Sequence, residues 1–137
     1  MIVNVDNRSG VSLPESDYKA LAEFVLAKEG TAADVELSIS LVEESEIHAL
    51  NKSYRGIDAP TDVLSFENDE ELLGDVIICP AVAKQHALDF DSDLASEMEL
   101  MLTHGILHLK GYEHDDDESA EVMEARENEL LRAWRAL

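Results

Sequence analysis

The chain has 137 residues, 45% of them hydrophobic, which suits one globular domain around a single core. We expect a cytoplasmic protein, because no apolar run could span a membrane, the N-terminus lacks a secretion signal, and the single Cys79 excludes an internal disulfide. The formal net charge of −21 repels polyanions and, taken alone, argues against nucleic-acid binding, which usually needs a basic surface.

The first half of the chain alternates between predicted strands and predicted helices, which cover residues 2–6, 14–29, 34–42 and 43–54. The strands show apolar and polar residues in alternation, and the helices show apolar residues every three or four positions. On the second helix, Ile47, Leu50 and Tyr54 recur at the spacing of a buried face, so we expect all three to point inward.

The second half begins with two predicted strands, at 62–66 and 72–79, which can pair as a hairpin across an acidic turn at 68–71. Three predicted helices follow, at 80–88, 94–110 and 115–135. Cys79 is predicted to be a small core residue. The order β-α-β-α-β-β-α-α-α predicts one α+β domain over residues 1–137, with a small mixed four-stranded sheet packed by about five helices.

Three of the five histidines fall in one eleven-residue window, at positions 104, 108 and 114. His104 and His108 are four residues apart and therefore leave the same face of a helix. Gly111 is predicted to end that helix and to let the chain carry His114 back toward the other two rings. Three converging imidazoles predict one zinc ion per chain, with an open position where a water molecule is activated. The alternative, a buried histidine cluster beside a helix cap, explains the spacing poorly.

The same spacing matches the metalloprotease pattern His-Glu-x-x-His-x-x-Gly-x-x-His except at one position. Gly105 stands where those proteases carry the glutamate that serves as general base. The pattern therefore predicts a metal site of protease type with different chemistry.

The loop that follows the second helix contains Arg55, beside Gly56. A guanidinium at this position can bind a phosphate through two parallel hydrogen bonds, or it can bridge loop carbonyls or Asp62 as a structural residue. If the protein binds RNA despite its charge, we expect the few basic residues to form a positive rim around the site. The candidates for that rim, in addition to Arg55, are Lys52, Lys84 and Lys110.

Three motifs occur in order along most of the chain. They read Tyr-Arg-Gly-x-Asp-x-Pro-Thr-Asp-Val-Leu-Ser-Phe from residue 54, Leu-Gly-Asp-Val-x-Ile from 73, and His-Gly-x-Leu-His-Leu-x-Gly-Tyr-x-His from 104. Together they resemble the YbeY family of bacterial endoribonucleases and ribosomal RNA maturation factors. One departure is Glu113, where the family usually has aspartate.

The resemblance implies an α+β fold, a zinc ion held by His104, His108 and His114, and a functional arginine at Arg55. The implied activity is metal-dependent cleavage of single-stranded RNA, in maturation of the small-subunit ribosomal RNA 3′ end and in ribosome quality control. The implied partners are ribosomal RNA and the ribosome or its small-subunit proteins. Lys52 is a further candidate for substrate binding.

The sequence leaves the chemistry and the class of function open. Either a water molecule or the RNA 2′-hydroxyl can attack the phosphorus, and Glu113 or Asp62 can assist as a base. Two other functions are compatible with the histidine spacing. One is a metal-dependent hydrolase of peptides or small esters, and the other is a non-catalytic ribosome-associated factor with a structural zinc, whose fourth ligand could be Cys79.

Overall fold

The computed structural model describes residues 1–67 and 72–137. Its elements are β1 (Ile2–Asn7), α1 (Glu15–Lys28), β2 (Glu36–Leu41), α2 (Glu44–Arg55), β3 (Val63–Glu67), β4 (Leu72–Ile78), α3 (Pro80–Asp89), α4 (Leu94–Leu109) and α5 (Asp117–Arg135). This is the predicted order, and it forms a single α+β domain. The predicted acidic turn at 68–71 lies outside the described residues. Among the described helices, none has both the length and the apolar character needed to cross a membrane.

The four strands form one mixed sheet in the order β1-β2-β4-β3. Strands β1, β2 and β4 run parallel, and β3 pairs antiparallel with β4, which confirms the predicted pairing of these two strands. The register between β2 and β4 shifts where Glu36 faces Leu72 but Leu37 faces Gly74. A Cβ atom on Gly74 would lie 2.3 Å from the carbonyl oxygen of Phe66, so this position requires glycine.

Helix α4 is the central helix of the domain and packs on the sheet. Its buried apolar side chains are Met98, Met101, Leu102, Ile106, Leu107 and Leu109. Gly105 determines how closely the helix approaches the strands, because a Cβ there would lie 2.7 Å from Cγ1 of Val76. The hydroxyl of Ser65 donates to the carbonyl oxygen of Gly105 at 3.0 Å. The last two turns of α4 are therefore fixed against β3 and β4.

Two aspartates cap α4, which carries His104 and His108, and α5, which follows His114. Asp93 accepts a hydrogen bond from the backbone N–H of Ser96 at 2.7 Å, and Asp116 accepts one from Ser119 at 2.7 Å. These bonds lower the pKa of each aspartate, because they favour the charged carboxylate. The predicted helix starts are confirmed to within two residues, and the acidic run at 115–117 serves as the start of α5.

Cys79 is buried in a small second core beneath α2 and β3, as predicted. Its neighbours there include Val42, Ile47 and Leu64. Burial raises the pKa of the Cys79 thiol. A buried neutral thiol at this position is a packing residue.

Candidate metal centre

The three histidines converge at the end of α4. His104 and His108 lie on successive turns of that helix, and His114 lies on the segment that leads to α5. Helix α4 ends at Leu109, and Gly111 follows with a φ of 96°, so the predicted glycine turn is present. One ring nitrogen from each histidine lies within 4.8 Å of the other two. The spacing in the sequence thus becomes a cluster in space.

Two of the three rings are oriented by hydrogen bonds from their Nδ1 atoms. Nδ1 of His104 lies 2.6 Å from Oε1 of Glu127, and Nδ1 of His108 lies 3.0 Å from the carbonyl oxygen of Tyr112. A carboxylate and a carbonyl can only accept, so each Nδ1 must carry the hydrogen and donate. In the neutral rings, each Nε2 therefore has a free lone pair, which is the form that binds a metal.

The two Nε2 atoms of His104 and His108 lie 3.1 Å apart. With both hydrogens on Nδ1, these atoms cannot hydrogen-bond to each other, and their lone pairs repel. Burial, and then the neighbouring His104 and His114, lower the pKa of His108, which favours its neutral ring. Two nitrogens bound to one tetrahedral zinc ion lie roughly 3.3 Å apart, close to the observed separation. The donor set therefore fits a single metal cation.

Glu127 is a site residue that the sequence analysis missed. It lies on α5, 7% exposed, and its carboxylate fixes the ring of His104. A signal for it exists in the sequence, because Glu127 falls within the apolar stripe of Met123, Leu130 and Leu131. An acid at a buried helical position usually has a specific partner.

A cleft of about 790 Å³ opens beside the histidines. Its walls come from the end of α2, from residues 61–67, from the end of α4, and from residues 111–114. Arg55 is the last residue of α2, and Gly56 follows in the left-handed conformation with a φ of 71°. The buried Asn51 donates to the carbonyl oxygen of Ala59 at 2.8 Å and so ties the next loop back to α2. Arg55 and the histidines, 49 residues or more apart in the chain, thus line one cleft.

The charge around the cleft differs from the positive rim that the sequence analysis expected. Among the described lining residues, Arg55 is the only lysine or arginine, whereas three residues are acidic: Asp62, Glu67 and Glu113. Lys52 and Lys84 are exposed but do not line the cleft. Lys110 lines an adjoining hollow that shares residues 111–113 with it.

The sequence also allowed a structural role for Arg55, in which its guanidinium bridges loop carbonyls or Asp62. No such contact of Arg55 occurs among the described residues. Arg55 is exposed and forms no ion pair there. Asp62 instead accepts a hydrogen bond from the backbone N–H of Val63 at 2.8 Å. The guanidinium of Arg55 is therefore available to a ligand in the cleft.

The prediction that Tyr54 points inward is wrong. Tyr54 is 68% exposed, whereas Ile47 on the same helix is fully buried. The ring of Tyr54 lies against that of Phe66, with centroids 5.1 Å apart. Helix α2 extends past the edge of its core, so its last turn faces the cleft, which Tyr54 and Phe66 both line.

Comparison with known proteins gives matches over nearly the whole chain. The family model described as "Endoribonuclease YbeY" matches residues 3–135. A protein of Acidothermus cellulolyticus named Endoribonuclease YbeY is 41% identical, with 99% of this chain and 93% of that protein covered. One of the same name from Moorella thermoacetica is 42% identical, covering 85% and 83% respectively. A solution structure from Thermotoga maritima superposes with a TM-score of 0.67 at 33% identity, covering 99% of this chain and 93% of that one.

Proposed function

The chain belongs to the YbeY endoribonuclease family, and from that premise we propose that it is a zinc-dependent endoribonuclease acting on single-stranded RNA. The observation that carries this proposal is that the three histidines line the same cleft as Arg55, which pairs with none of the described acidic residues. We further propose that residues 1–137 act as one catalytic domain, and that the substrate is ribosomal RNA, in maturation of the small-subunit 3′ end and in ribosome quality control.

His104, His108 and His114 would hold one zinc ion per chain through their ring nitrogens. Zinc supplies Lewis acidity at neutral pH, which activates water for attack and polarises a phosphoryl oxygen. Glu127 and the carbonyl of Tyr112 keep two of the rings in the tautomer that binds metal.

Arg55 would bind the scissile phosphate and stabilise the negative charge that develops when phosphorus becomes five-coordinate. In the hydrolytic route, water forms the new P–O bond, a base takes its proton, and the leaving oxygen of the broken P–O bond is protonated. In the alternative route, the RNA 2′-hydroxyl attacks and leaves a cyclic phosphate. Glu113 is a better candidate base than Asp62, because Asp62 already accepts a backbone hydrogen bond.

The acidic lining of the cleft supports a role for a partner in substrate delivery. The net charge of −21 repels an RNA backbone at long range, and in the described lining of the cleft three carboxylates outnumber the one guanidinium. We therefore propose that the ribosome or a small-subunit protein presents the RNA to the cleft.

No described residue of the cleft favours the two other functions over the nuclease. Gly105 has no side chain, so this position cannot supply the base of a metalloprotease. It also faces the sheet, where a Cβ would lie 2.7 Å from Cγ1 of Val76. The cluster of possible ligands in the described residues contains the three histidines alone, and Cys79 lies in a separate core. A fully protein-ligated structural zinc is therefore not supported.

The test combines elemental analysis with cleavage of a labelled single-stranded RNA. We expect about one zinc per chain in the wild type, and His108→Ala should lose both the metal and the cleavage. Arg55→Ala should keep the metal but lose roughly 100- to 1,000-fold in kcat, because it removes a donor to the transition state. Lys52→Ala is the matched cation control from the same helix, with a change of about threefold or less expected for an exposed charge.

Equal cleavage by wild type, His108→Ala and Arg55→Ala would mean a contaminating nuclease and would reject the proposal. The 3′ ends of the products separate the two routes. A cyclic phosphate would reject attack by water, and a 3′-hydroxyl on one product with a 5′-phosphate on the other would reject attack by the 2′-hydroxyl.

A further inference from the structure

Tyr54 presents a largely exposed aromatic ring to the cleft, in tilted contact with the ring of Phe66. The two ring centroids lie 5.1 Å apart, at an interplanar angle of 58°. Phe66 is half-buried and packs against the small second core, so it is a firm base for the pair. With 68% of its surface exposed, Tyr54 has a ring that a flat ligand can reach.

The other tyrosine of the cleft is placed differently. Tyr112 is half-buried, and burial, followed by the neighbouring carboxylate of Glu29, raises the pKa of its phenol. Its carbonyl oxygen is occupied by His108. Tyr54 is therefore the tyrosine in the described cleft whose ring is free for contact with a ligand.

The electrostatics of the cleft explain why such a ring would matter. Proteins that hold single-stranded RNA combine phosphate contacts from basic residues with stacking of bases on aromatic rings. Here the described lining offers one cationic side chain, Arg55, against three carboxylates. Apart from the zinc site, phosphate contacts can therefore supply little of the affinity, whereas a base is uncharged and its stacking is not opposed by the carboxylates.

We infer that Tyr54, supported by Phe66, is a stacking platform for the base next to the phosphate bound by Arg55. The inference rests on the proposed nuclease function and adds to it a specific binding residue. Residues 54 and 55 are adjacent at the end of α2 and both line the cleft, so one nucleotide can contact both. Stacking on Tyr54 also gives a physical reason for a preference for single-stranded RNA, because a base within a duplex is already stacked on both faces.

The test measures binding of an RNA nonamer by fluorescence anisotropy, with 2′-O-methyl groups to block attack by the 2′-hydroxyl and with the intactness of the RNA checked afterwards, so that hydrolysis by water would be detected. A series of nonamers carries one abasic nucleotide at each position in turn. The proteins are the full-length wild type, Tyr54→Ala, Tyr54→Phe and Phe90→Ala. Phe90 is the matched control, because it is also 68% exposed but does not line the cleft.

For the wild type, we expect one or two abasic positions to weaken binding by roughly 5- to 150-fold, the range for loss of one stacked base. In Tyr54→Ala, binding of the intact RNA should weaken by a similar factor, and those abasic positions should no longer matter. Tyr54→Phe should retain the wild-type pattern, since the ring is kept, and so should Phe90→Ala. In cleavage assays, Tyr54→Ala should raise KM and leave kcat nearly unchanged.

An unchanged abasic pattern in Tyr54→Ala would overturn the inference, as would a wild type that does not distinguish abasic from intact RNA. Both results are distinguishable from failure of the nuclease proposal, in which the wild type cleaves no RNA or does so independently of His108 and Arg55. Salt dependence gives a second check. One phosphate contact predicts a slope of log K against log salt of about −0.7, and a slope near −3 or steeper would also overturn the inference.

Discussion

Two histidine–glutamate pairs lie at opposite ends of helix α4. Near its start, Nδ1 of His86 lies 3.1 Å from Oε2 of Glu97, and near its end, Nδ1 of His104 lies 2.6 Å from Oε1 of Glu127. In both pairs the glutamate side chain is less than a tenth exposed. The pairs are thus alike in chemistry, and each ties α4 to a neighbouring helix.

They differ in the surroundings of the histidine ring. The ring of His86 lies against Phe90, with centroids 4.5 Å apart. Nε2 of His104 instead lies 3.1 Å from Nε2 of His108, with the ring of His114 beside both. A buried glutamate that orients a histidine is therefore not a sign of a metal site by itself. What distinguishes the metal site is that ring nitrogens from three histidines, His104, His108 and His114, lie within 4.8 Å of one another.

The largest effect should come from removing the charge of Glu127. Glu127→Gln keeps the shape of the side chain but weakens its hold on Nδ1 of His104, and we expect zinc affinity to fall by roughly 10- to 100-fold. Competition with a metal-binding dye measures the affinity. Glu97→Gln is the matched control and should leave zinc affinity unchanged. If the two variants bound zinc equally, the difference drawn between the pairs would be wrong.

A second change tests whether the stability of the domain depends on the close approach of α4 to the sheet, at the turns that carry His104 and His108. Gly105→Ala places a Cβ 2.7 Å from Val76 in a packed interface, so we expect a loss of about 1–3 kcal/mol in the free energy of unfolding. Urea denaturation with chelator present measures it. Ala95→Gly, at an exposed position near Glu97, should cost only about 1 kcal/mol through helix propensity. A neutral Gly105→Ala would show that the helix can move away from the strands freely.

The smallest effect concerns the pH dependence of the metal-free protein. Burial and the adjacent histidines lower the pKa of His108 below its ordinary value of 6.5. The unfolded chain then takes up a proton more readily than the folded one. The contribution of His108 to stability is therefore level above about pH 6.5 and falls as the pH drops from there toward the folded pKa.

Thermal melting between pH 5 and 8, with chelator present, measures this dependence. His108→Gln should show a shallower loss of stability on acidification than the wild type. Identical slopes in the two proteins would contradict the lowered pKa of His108.

The parts of the site that the sequence predicted are local in the chain. A spacing of four residues on a helix fixes the relative position of His104 and His108, and a glycine turn is enough to bring His114 to them. The order of the elements was predictable for a related reason, since each has its own periodicity and turn residues. The likeness of the motifs to one family placed Arg55 in the site, which spacing could not do.

The residues that were missed or misplaced depend on contacts far away in the chain. Tyr54 has the spacing of a buried residue, but the periodicity of a helix does not reveal where the core beneath it ends. Glu127 is one of many acids on α5, and only its partner on α4 distinguishes it. The positive rim could not be predicted correctly either, because the sequence does not show which lysines face the cleft. Each of these errors concerns tertiary packing, which local patterns do not encode.

The spacing of the histidines also bears on the order in which contacts form during folding. The three ligands span eleven residues, and closing so short a loop costs little chain entropy. Pairing of β2 with β4 instead joins residues about 36 positions apart, and Arg55 comes from the middle of that interval. Non-local contacts of this kind form more slowly than local ones. The convergence of the three histidines is thus a product of local chain geometry. The cleft that also contains Arg55 exists only once the sheet has assembled.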